Sequence, residues 1–529
     1  MVLQQNTQAA LWGWGAANDV ISITGSWGAT ATATVDATGK WSTTIQTPVA
    51  NPGQAPVYTL TFSEANNTIV LSNILIGDVW LCSGQSNMCL GLGAATNGTA
   101  EVAAANYPSM RIITMGDDMN PNVQNNSISG SWAACTPATA QGFTAVGYFF
   151  GRELINDPNI NIPIGLIRSA VGGSNCQSWV RNEALVADPF LKSTFVDPYT
   201  ANPNSSSYAS NQQKPSWCYN GMIAPIIPLS IKGTVWYQGE GNASNYSSYK
   251  QLWGTLIQDW RSLSGLGNYP FYYVQLPNYT TTDPWANMRE AQTTLLTLTN
   301  VGMAVTLDVG DNANIHPINK YPVGKRLALW AKAKTYGENI VYSGPVYKSC
   351  SIVNNTIVIS FLPETIGGGL ISSDGAALKS FQIAGADNVM YDATAIISGN
   401  TIIVSSANVA APTKVWYAFS NTPVVNFTNT DGLPACPFRT DVWDSNITVV
   451  TLQVPESVNK SNAVFRVQGT KITAPEMGAI QIFDLQGKRM LAVKGVRVLQ
   501  THLAKGIYIA CLTNESGNSF AEKLIIGNE

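Results

Sequence analysis

The chain has 529 residues, of which 45% are hydrophobic and only 12% are charged, and its formal net charge is −3. At ~150 residues per domain, this length predicts three or four domains with sizeable cores. The small net charge and the lack of basic runs argue against nucleic acid and anionic membrane surfaces as partners. No apolar stretch reaches the ~18 residues of a transmembrane helix, so no membrane insertion is expected.

The segment of residues 1–73 alternates apolar and polar positions, as in "DVISITGSWGATATATVDATGKWSTTI". This period of two predicts short antiparallel strands, and therefore an N-terminal β domain. The first residues have neither a basic region nor a long apolar core, so they are not a signal peptide as they stand.

Residues 74–337 have a different pattern, in which short apolar runs alternate with amphipathic stretches such as "YKQLWGTLIQDWRSL". Buried strands alternating with helices predict an α/β domain with a parallel sheet. The last of these helices is framed by Pro322 near its start and Gly337 just past its end. Residues 338–450 return to period-two strands, and residues 453–529 form a further all-β unit, so four domains are predicted in all.

Cysteine and histidine usage limits the chemistry that is available. The eight cysteines show neither a C-x-x-C pair nor a zinc spacing, and both disulfides and buried free thiols stay open as interpretations. The chain has only two histidines, His316 and His502, so a histidine-rich metal site is impossible within one chain. We therefore predict a protein without a metal or another cofactor, in which any imidazole chemistry uses one of these two residues.

Four apolar runs of the α/β domain end in chemically reactive or polar residues. In open α/β sheets, ligands bind beyond the carboxyl ends of the strands. A nucleophile, a base and polar donors at these ends are the components of acyl transfer. The four groups are Gln85-Ser86-Asn87, Gly172-Gly173-Ser174, Gln238-Gly239-Glu240-Gly241-Asn242, and Asp311 with Asn314 and His316.

Each group also has a structural interpretation when taken alone. Ser86 is in a position that suits a helix N-cap, and the glycine pair suits a plain turn. The segment at Gln238 suits a loop, and a histidine beside a proline is commonly structural. The occurrence of all four at strand ends of one domain favours catalysis. There is no G-x-S-x-G sequence, so an α/β-hydrolase nucleophile elbow is not supported.

Seven blocks of the chain, over roughly residues 1–450, form a recognisable set: "GDVWLCSGQSNM", "GLIRSAVGGSNCQSW", "IKGTVWYQGEGN", "IHPINKYPVGKRLALWA", "MVLQQ", "MREAQ" and "DGLPACPFRTDVW". Together they resemble the sialate O-acetylesterase-like family of SGNH (GDSL-type) hydrolases. The resemblance implies an α/β fold, namely a flavodoxin-like SGNH domain with helices on both faces of a parallel sheet, flanked by all-β domains. In that family "MVLQQ" follows a leader, so we expect a trimmed start and a secreted or cell-surface protein.

The resemblance also implies roles for individual residues. Ser86 becomes the nucleophile and His316 the base that takes its proton. The backbone N–H groups of Ser86 and Gly173, with the side chain of Gln238, would face the oxyanion of the tetrahedral intermediate. Gly172 is the alternative backbone donor.

One position departs from the family pattern. The family has an aspartate two residues before the histidine, whereas this chain has Asn314. An amide oxygen can orient an imidazole but cannot stabilise its positive charge. Asp311, Asp308 or a backbone carbonyl are the other candidates for the group that orients His316.

Aromatic and acidic residues near these loops are candidates for contacts with a sugar. Trp179, Trp217 and Tyr237 could stack on sugar faces, with core packing as the alternative for each, and Glu240 is a further candidate contact. The sequence does not choose among acetylated sialate, xylan, mannan or another glycan.

The C-terminal segment resembles a second family. "IQIFDLQGKRML", "LAKGIYIA" and "AEKLII" are similar to the C-terminal sorting domain of type IX secretion cargo. This resemblance implies the type IX secretion machinery as a partner, with export across the outer membrane. The alternative is a small β-sandwich accessory module.

The leading hypothesis is a secreted carbohydrate O-acetylesterase that acts on acetylated glycans through a serine–histidine acyl-enzyme mechanism. A catalytically weak or silent glycan-binding protein on the same scaffold is the second hypothesis, supported by Asn314. A lipase or thioesterase is the third, and chain-length preference would discriminate it.

Overall fold

The computed structural model divides into two compact units, Met1–Val442 and Trp443–Glu529, which we describe separately. Residues 484–488 and 501–505, which belong to the motifs of the predicted sorting domain, lie outside the described residues. The residues described are 1–64, 67–123, 128–441, 466–468, 471–483, 489–500, 506–514 and 519–526.

The N-terminal part of the first unit consists mostly of antiparallel strands and ends in one long strand, with which the first strand, Val2–Gln4, pairs in parallel. The long strand, Asn67–Gly84, pairs with Tyr58–Glu64 in its first half and then enters a parallel sheet. Its residues up to Asn73 are exposed, and all residues from Ile74 are buried, because the parallel sheet is covered on both faces. The strands are β1 Val2–Gln4, β2 Gln8–Trp14, β3 Val20–Gly25, β4 Thr30–Thr34, β5 Lys40–Gln46, β6 Tyr58–Glu64 and β7 Asn67–Gly84.

The parallel sheet has the order β13-β12-β11-β7-β10-β8, and β9 adds an antiparallel edge beside β8. Numbered along the chain from β7, the parallel strands are ordered 2-3-1-4-5-6. Without β8, the strands β10-β7-β11-β12-β13, numbered along the chain, have the order 2-1-3-4-5 of a flavodoxin-like sheet, and β8 is an additional strand beside β10. The predicted α/β class holds. The added strands are β8 Tyr107–Thr114, β9 Ala133–Cys135, β10 Ile164–Ala170, β11 Gly233–Tyr237, β12 Phe271–Val274 and β13 Val301–Ala304.

Helices cover both faces of the parallel sheet. Successive residues of a strand point to opposite faces, and in β7 the ring of Trp80 packs against Phe150, with ring centroids 4.9 Å apart. Leu81 lines a small cavity together with Trp260. The helices that carry Phe150 and Trp260 therefore lie on opposite faces, as the sequence predicts.

The chain segments between the strands form helices and short helical turns. The α-helices are α1 Ser86–Cys89, α2 Gly98–Ala104, α3 Pro137–Ala140, α4 Ala145–Ile155, α5 Asn182–Ala187, α6 Pro189–Leu191, α7 Asp197–Ala201, α8 Tyr246–Ser264, α9 Trp285–Thr294 and α10 Tyr321–Trp330. Turns of 3-10 helix are Leu92–Ala94, Cys176–Trp179, Ser206–Tyr208, Asn211–Gln213, Glu240–Asn245, Leu295–Thr297 and Pro363–Thr365, and turns of π-helix are Lys192–Val196, Tyr219–Ile223 and Ala331–Thr335.

The last part of the first unit is antiparallel β structure, as the period-two pattern predicts. Its larger sheets have the orders β14-β15-β20-β19 and β18-β17-β21-β23, and β16 pairs with β22. The strands are β14 Tyr347–Val353, β15 Thr356–Phe361, β16 Leu370–Ser372, β17 Phe381–Ala384, β18 Tyr391–Asp392, β19 Thr394–Ser398, β20 Thr401–Ser405, β21 Lys414–Tyr417, β22 Phe427–Asn429 and β23 Phe438–Arg439.

The described strands of the second unit form one five-stranded antiparallel sheet. Its core contains Ile480, Ile482, Ala510 and Leu512, which are wholly buried. The alternation of buried and exposed residues along its strands accounts for the period-two pattern of the sequence. The strands are β24 Arg466–Gln468, β25 Lys471–Phe483, β26 Arg489–Gln500, β27 Gly506–Asn514 and β28 Ser519–Ile526.

The sequence left open whether the cysteines form disulfides, and it predicted no membrane-spanning helix. The seven cysteines whose side chains are described are free thiols, and all are buried except the partly buried Cys89 and the exposed Cys350. In the part of the chain that the structure describes, no helix is long and apolar enough to cross a membrane.

Candidate active site

The register of the parallel sheet brings three of the four predicted loops to one edge. Gly84, at the end of β7, lies opposite Ala170 of β10 on one side and Tyr237 of β11 on the other. Because these neighbouring parallel strands all end at the same edge, the loops that follow them are adjacent. This edge is also where the strand order changes direction about β7, the usual position of a ligand site in such a sheet.

Gly84 permits the close approach of these strand ends. A Cβ atom there would lie 2.1 Å from the carbonyl oxygen of Tyr237, and its φ of +133° disfavours any L side chain. The backbone N–H of Gln85 donates to the same Tyr237 oxygen at 2.9 Å. A glycine at this point therefore turns the chain sharply and holds Ser86 beside β11.

Ser86 is hydrogen-bonded to His316. The Oγ atom of Ser86 and the Nε2 atom of His316 are 2.8 Å apart, within the reach of a nucleophile and its base. Ser86 is the first residue of α1, and the N-cap position belongs to Gln85, so Ser86 is not the N-cap. The structure thus pairs two residues that are 230 positions apart in the sequence.

The backbone N–H groups of Ser86 and Gly173 have no acceptor among the residues described. The Gly172 backbone contacts Ser86, because a Cβ atom on Gly172 would lie 3.6 Å from the Ser86 Cβ. Burial raises the pKa of the Cys89 thiol, and a hydrogen bond from the Gly172 backbone is among the smaller effects that oppose this rise. The Gly172 N–H is engaged there, so of this glycine pair only the Gly173 N–H has no acceptor among the described residues.

The side chain of Gln238 is not placed as the sequence predicts. It is wholly buried, and its Nε2 donates to Asn242 Oδ1 at 2.8 Å and to the Ser174 carbonyl at 3.3 Å. Its Oε1 accepts from the Tyr249 hydroxyl at 2.8 Å. Because both amide hydrogens have protein acceptors, Gln238 supports the loops and offers no free donor to an oxyanion.

The side chains that are candidates for orienting His316 make their hydrogen bonds to groups other than its imidazole ring. Asn314 Oδ1 accepts the backbone N–H of His316 at 2.9 Å, so it shapes the loop and leaves the imidazole ring alone. Asp311 Oδ1 accepts the backbone N–H of Ala313 at 2.9 Å. Asp308 pairs with Arg326 through both oxygens, at 2.7 and 2.6 Å. Within the described residues, Ser86 Oγ is the hydrogen-bond partner of the His316 ring.

The environment of His316 favours its neutral form. Burial lowers the pKa of His316 below its usual 6.5, and the positive charge of Lys320 lowers it further. A neutral imidazole is the form that can accept the proton of a serine hydroxyl.

A buried cluster that the sequence analysis did not identify lies beside Ser86 and His316. Asn87 Nδ2 donates to Glu240 Oε1 at 2.5 Å and to the Ile315 carbonyl at 2.9 Å, and Lys320 Nζ donates to Asn87 Oδ1 at 2.5 Å. Burial raises the pKa of Glu240 and lowers that of Lys320 to about 7. The only signal in the sequence was the position of Asn87 and Lys320 inside the blocks "GQSNM" and "IHPINK".

The predicted sugar contacts are mostly interior residues. Trp179 and Tyr237 are wholly buried, and Trp179 donates its Nε1–H to Ser174 Oγ at 3.0 Å. Glu240 belongs to the buried cluster, so none of these three presents a face to a ligand. Trp217 is half-buried, with the Lys214 ammonium 4.2 Å from its ring centroid, and remains a candidate platform.

A groove of about 650 Å³ runs along the loop that carries His316. Asp311, Pro317 and Ile318 of that loop line it, with Asn278 and Val424 opposite. Its mixture of amide, carboxylate and aliphatic surface suits a hydroxyl-rich ligand with apolar faces. Across the described ranges, no group of three or more His, Cys, Asp and Glu side chains is arranged to hold a metal ion.

Comparisons with known proteins show which family this chain resembles. A model of the family described as "Carbohydrate esterase, sialic acid-specific acetylesterase" matches residues 76–331. The sialate O-acetylesterase of Pongo abelii is 32% identical over 317 residues, which are 54% of this chain and 59% of the relative. That of Mus musculus is 29% identical over 415 residues, 67% of this chain and 75% of the relative.

A solved structure extends the match. A carbohydrate acetylesterase from Xanthomonas citri is 37% identical, with a TM-score of 0.75 over 84% of this chain and 97% of that chain. This chain belongs to the sialic acid-specific acetylesterase family of carbohydrate esterases. The matched range of that family contains Ser86, Gly173 and His316.

Proposed function

We propose that this family member is a carbohydrate O-acetylesterase that uses Ser86 as nucleophile and His316 as general base. The observation that carries the proposal is the 2.8 Å contact between Ser86 Oγ and His316 Nε2, at the carboxyl edge of the sheet. The second hypothesis, a silent glycan-binding protein, drew its support from Asn314, whose side chain binds backbone. The intact serine–histidine contact favours the esterase.

The proposed reaction has two stages. Ser86 Oγ attacks the acetyl carbonyl carbon while its proton passes to His316 Nε2, and the backbone N–H groups of Ser86 and Gly173 donate to the resulting oxyanion. The intermediate collapses as the sugar oxygen leaves with the proton from His316, which leaves an acetyl–Ser86 ester. Water then attacks this ester and gives a proton to His316. The second tetrahedral intermediate collapses to release acetate, and His316 returns the proton to the departing Ser86 Oγ.

The proposed substrate is an acetylated glycan. The relatives are named as sialate O-acetylesterases and the structural neighbour as a carbohydrate acetylesterase. The groove lined by Asp311, Pro317 and Ile318 of the His316 loop offers room for a sugar, although neither Ser86 nor His316 lines it. Release of acetate from a panel of acetylated sialate, xylan and mannan would identify the preferred glycan.

The test of the mechanism is Ser86→Ala. We expect this variant to release no acetate from p-nitrophenyl acetate or from acetylated glycans, while its melting temperature stays within a few degrees of the wild type. Asn429→Ala, at a buried asparagine of the C-terminal β part of the first unit, is a control expected to keep kcat. Turnover of Ser86→Ala above a few per cent of wild type would remove Ser86 from the mechanism.

For the whole chain, we propose secretion with residues 453–529 as a type IX sorting domain. The support is the likeness of "AEKLII" and "LAKGIYIA" to such domains, together with the antiparallel sheet of the described strands. The proposed domains are 1–73, 74–337, 338–450 and 453–529, with an SGNH-type catalytic domain second. In a bacterium with type IX secretion, deletion of 453–529 should leave the protein inside the outer membrane, and unchanged export would contradict the assignment.

A further inference from the structure

The side chain of Asn87 joins three loops of the candidate active site. Asn87 directly follows Ser86, and its Nδ2 donates to the carbonyl oxygen of Ile315, the residue before His316, at 2.9 Å. The same nitrogen donates to Glu240 in the loop after β11 at 2.5 Å. Its Oδ1 accepts from Lys320, which directly precedes α10, at 2.5 Å. One amide therefore links the loop of the nucleophile to the loop of the base.

The chemistry of these partners requires an asparagine. An ammonium only donates, so it must face Oδ1, and a carboxylate and a carbonyl only accept, so they must face Nδ2. An aspartate would present an oxygen to the Glu240 carboxylate, and a leucine of the same size would offer no hydrogen bond to any of the three partners. Asn87 is wholly buried, so water does not readily replace these hydrogen bonds.

We propose that Asn87 is a positioning residue that holds Ser86 and His316 at reacting distance, with Glu240 and Lys320 fixing the orientation of its amide. This inference rests on the proposed esterase function and adds a part to it. Asn314 and the aspartates of the His316 loop do not hydrogen-bond the imidazole. The position of His316 relative to Ser86 therefore depends on backbone contacts of its loop, and the Asn87–Ile315 bond is the one that reaches it from the residue next to Ser86.

The two charges around Asn87 depend on one another. Glu240 and Lys320 each bind the Asn87 amide, and both lie in the interior. The second oxygen of Glu240, Oε2, is buried without a hydrogen-bond partner in the described structure. Removing one partner of a buried charged pair leaves the other uncompensated. We therefore expect the hydrogen bonds of Asn87 to tolerate substitutions of Glu240 that keep its shape better than apolar substitutions.

The central test is Asn87→Leu, with Asn429→Leu as a matched control. Asn429 is also wholly buried, and its amide makes four hydrogen bonds to backbone groups, at 3.0 to 3.2 Å, in the C-terminal β part of the same unit. Both variants bury a leucine in place of a bonded amide, but only Asn87 contacts the proposed catalytic loops. The measurements are kcat and KM for p-nitrophenyl acetate, the rate of Ser86 labelling by a fluorophosphonate, and the melting temperature.

We expect Asn87→Leu to lower kcat about tenfold or more with little change in KM, because misplacing a reacting pair weakens the transition state and spares ground-state binding. Fluorophosphonate labelling should slow in parallel. Asn429→Leu should lower the melting temperature at unchanged kcat. A folded Asn87→Leu variant with wild-type kcat and labelling would overturn the proposal.

A second pair of variants keeps the proposal testable if Asn87→Leu does not fold. Glu240→Gln preserves one acceptor oxygen for Asn87 Nδ2, whereas Glu240→Leu preserves none. We expect the glutamine variant to retain clearly more activity than the leucine variant, and equal kcat in two folded variants would refute the role of the amide. Wild-type protein that neither releases acetate nor labels at Ser86 would instead refute the esterase proposal itself.

Discussion

Ser86 has two uses in the proposed mechanism because it is the first residue of α1. The first N–H groups of a helix have no partner within the helix, and the N–H of Ser86 also finds no acceptor elsewhere in the described structure. The same residue therefore carries the attacking oxygen and one donor for the oxyanion that the attack creates. His316 is the matching base, and its ring has no carboxylate partner in the described structure.

The absence of a carboxylate contact predicts how the His316 loop responds to substitution. Asp311→Ala should leave kcat within about twofold, because Asp311 binds a backbone N–H and not the ring, whereas loss of a triad acid costs a hundredfold or more. Asn314→Asp keeps the acceptor for the His316 N–H and adds a charge two residues from the imidazole, so it should preserve or raise kcat. Steady-state kinetics with p-nitrophenyl acetate measure both. A hundredfold loss in Asp311→Ala would assign that residue to a triad.

The lowered pKa of His316 predicts the acid limb of the pH profile. The base must be neutral, so activity is lost as pH falls through the pKa of His316. Since burial and the Lys320 charge both lower that pKa, the limb should lie below pH 6.5. Lys320 itself has a pKa of about 7 and is charged in that range.

Lys320→Met is the matching variant for the pH profile. It removes the positive charge, so the acid limb of kcat/KM should move to higher pH. An unchanged limb in a folded Lys320→Met variant would show that burial alone sets the pKa of His316.

At the scale of elements, the site depends on the common end of β7, β10 and β11. Parallel strands in register deliver their following loops to one edge, and the crossovers on either side of β7 run in opposite directions. Gly84 makes this arrangement possible, because any side chain would meet the backbone of β11. The loop after β11 contributes support through Gln238 and Glu240, while the loops after β7 and β10 carry the proposed oxyanion donors, the N–H groups of Ser86 and Gly173.

Gly84→Ala tests the strand-end geometry. A Cβ atom 2.1 Å from the Tyr237 oxygen forces the backbone to move, which should cost roughly 2 kcal/mol or more in the free energy of unfolding and lower kcat by shifting Ser86. Urea denaturation and kinetics measure the two effects. Gly254→Ala in α8 is the control, since its Cβ would lie 3.9 Å from Leu298, and a helical alanine should stabilise by about 0.5–1 kcal/mol. Equal behaviour of the two variants would contradict the close-approach argument.

At the scale of the whole molecule, the proposed chemistry belongs to one of the two compact units. Ser86, Gly173, His316 and the Asn87 cluster all lie within Met1–Val442. The second unit is an antiparallel sheet with its own core. A chain that ends at residue 450 should therefore fold and keep full acetate release.

Circular dichroism and steady-state kinetics of the truncated chain check this expectation. Because the truncated chain is expected to keep full activity, adding residues 453–529 as a separate chain should not change its rate of acetate release. An inactive truncated chain that is soluble and folded would assign residues 453–529 to the catalytic unit.

The sequence by itself determined the α/β class, the strand ends and the pairing of Ser86 with His316, because hydrophobic periodicity reports burial and the family motifs name both residues. It could not place Gln238, which follows a strand end but is directed into the interior. It also missed the Asn87 cluster, in which the partners of Asn87 lie 153 to 233 positions away from it along the chain. Strand order and side-chain direction are decided by packing between distant segments, and no local pattern records which polar groups will become partners once water is excluded.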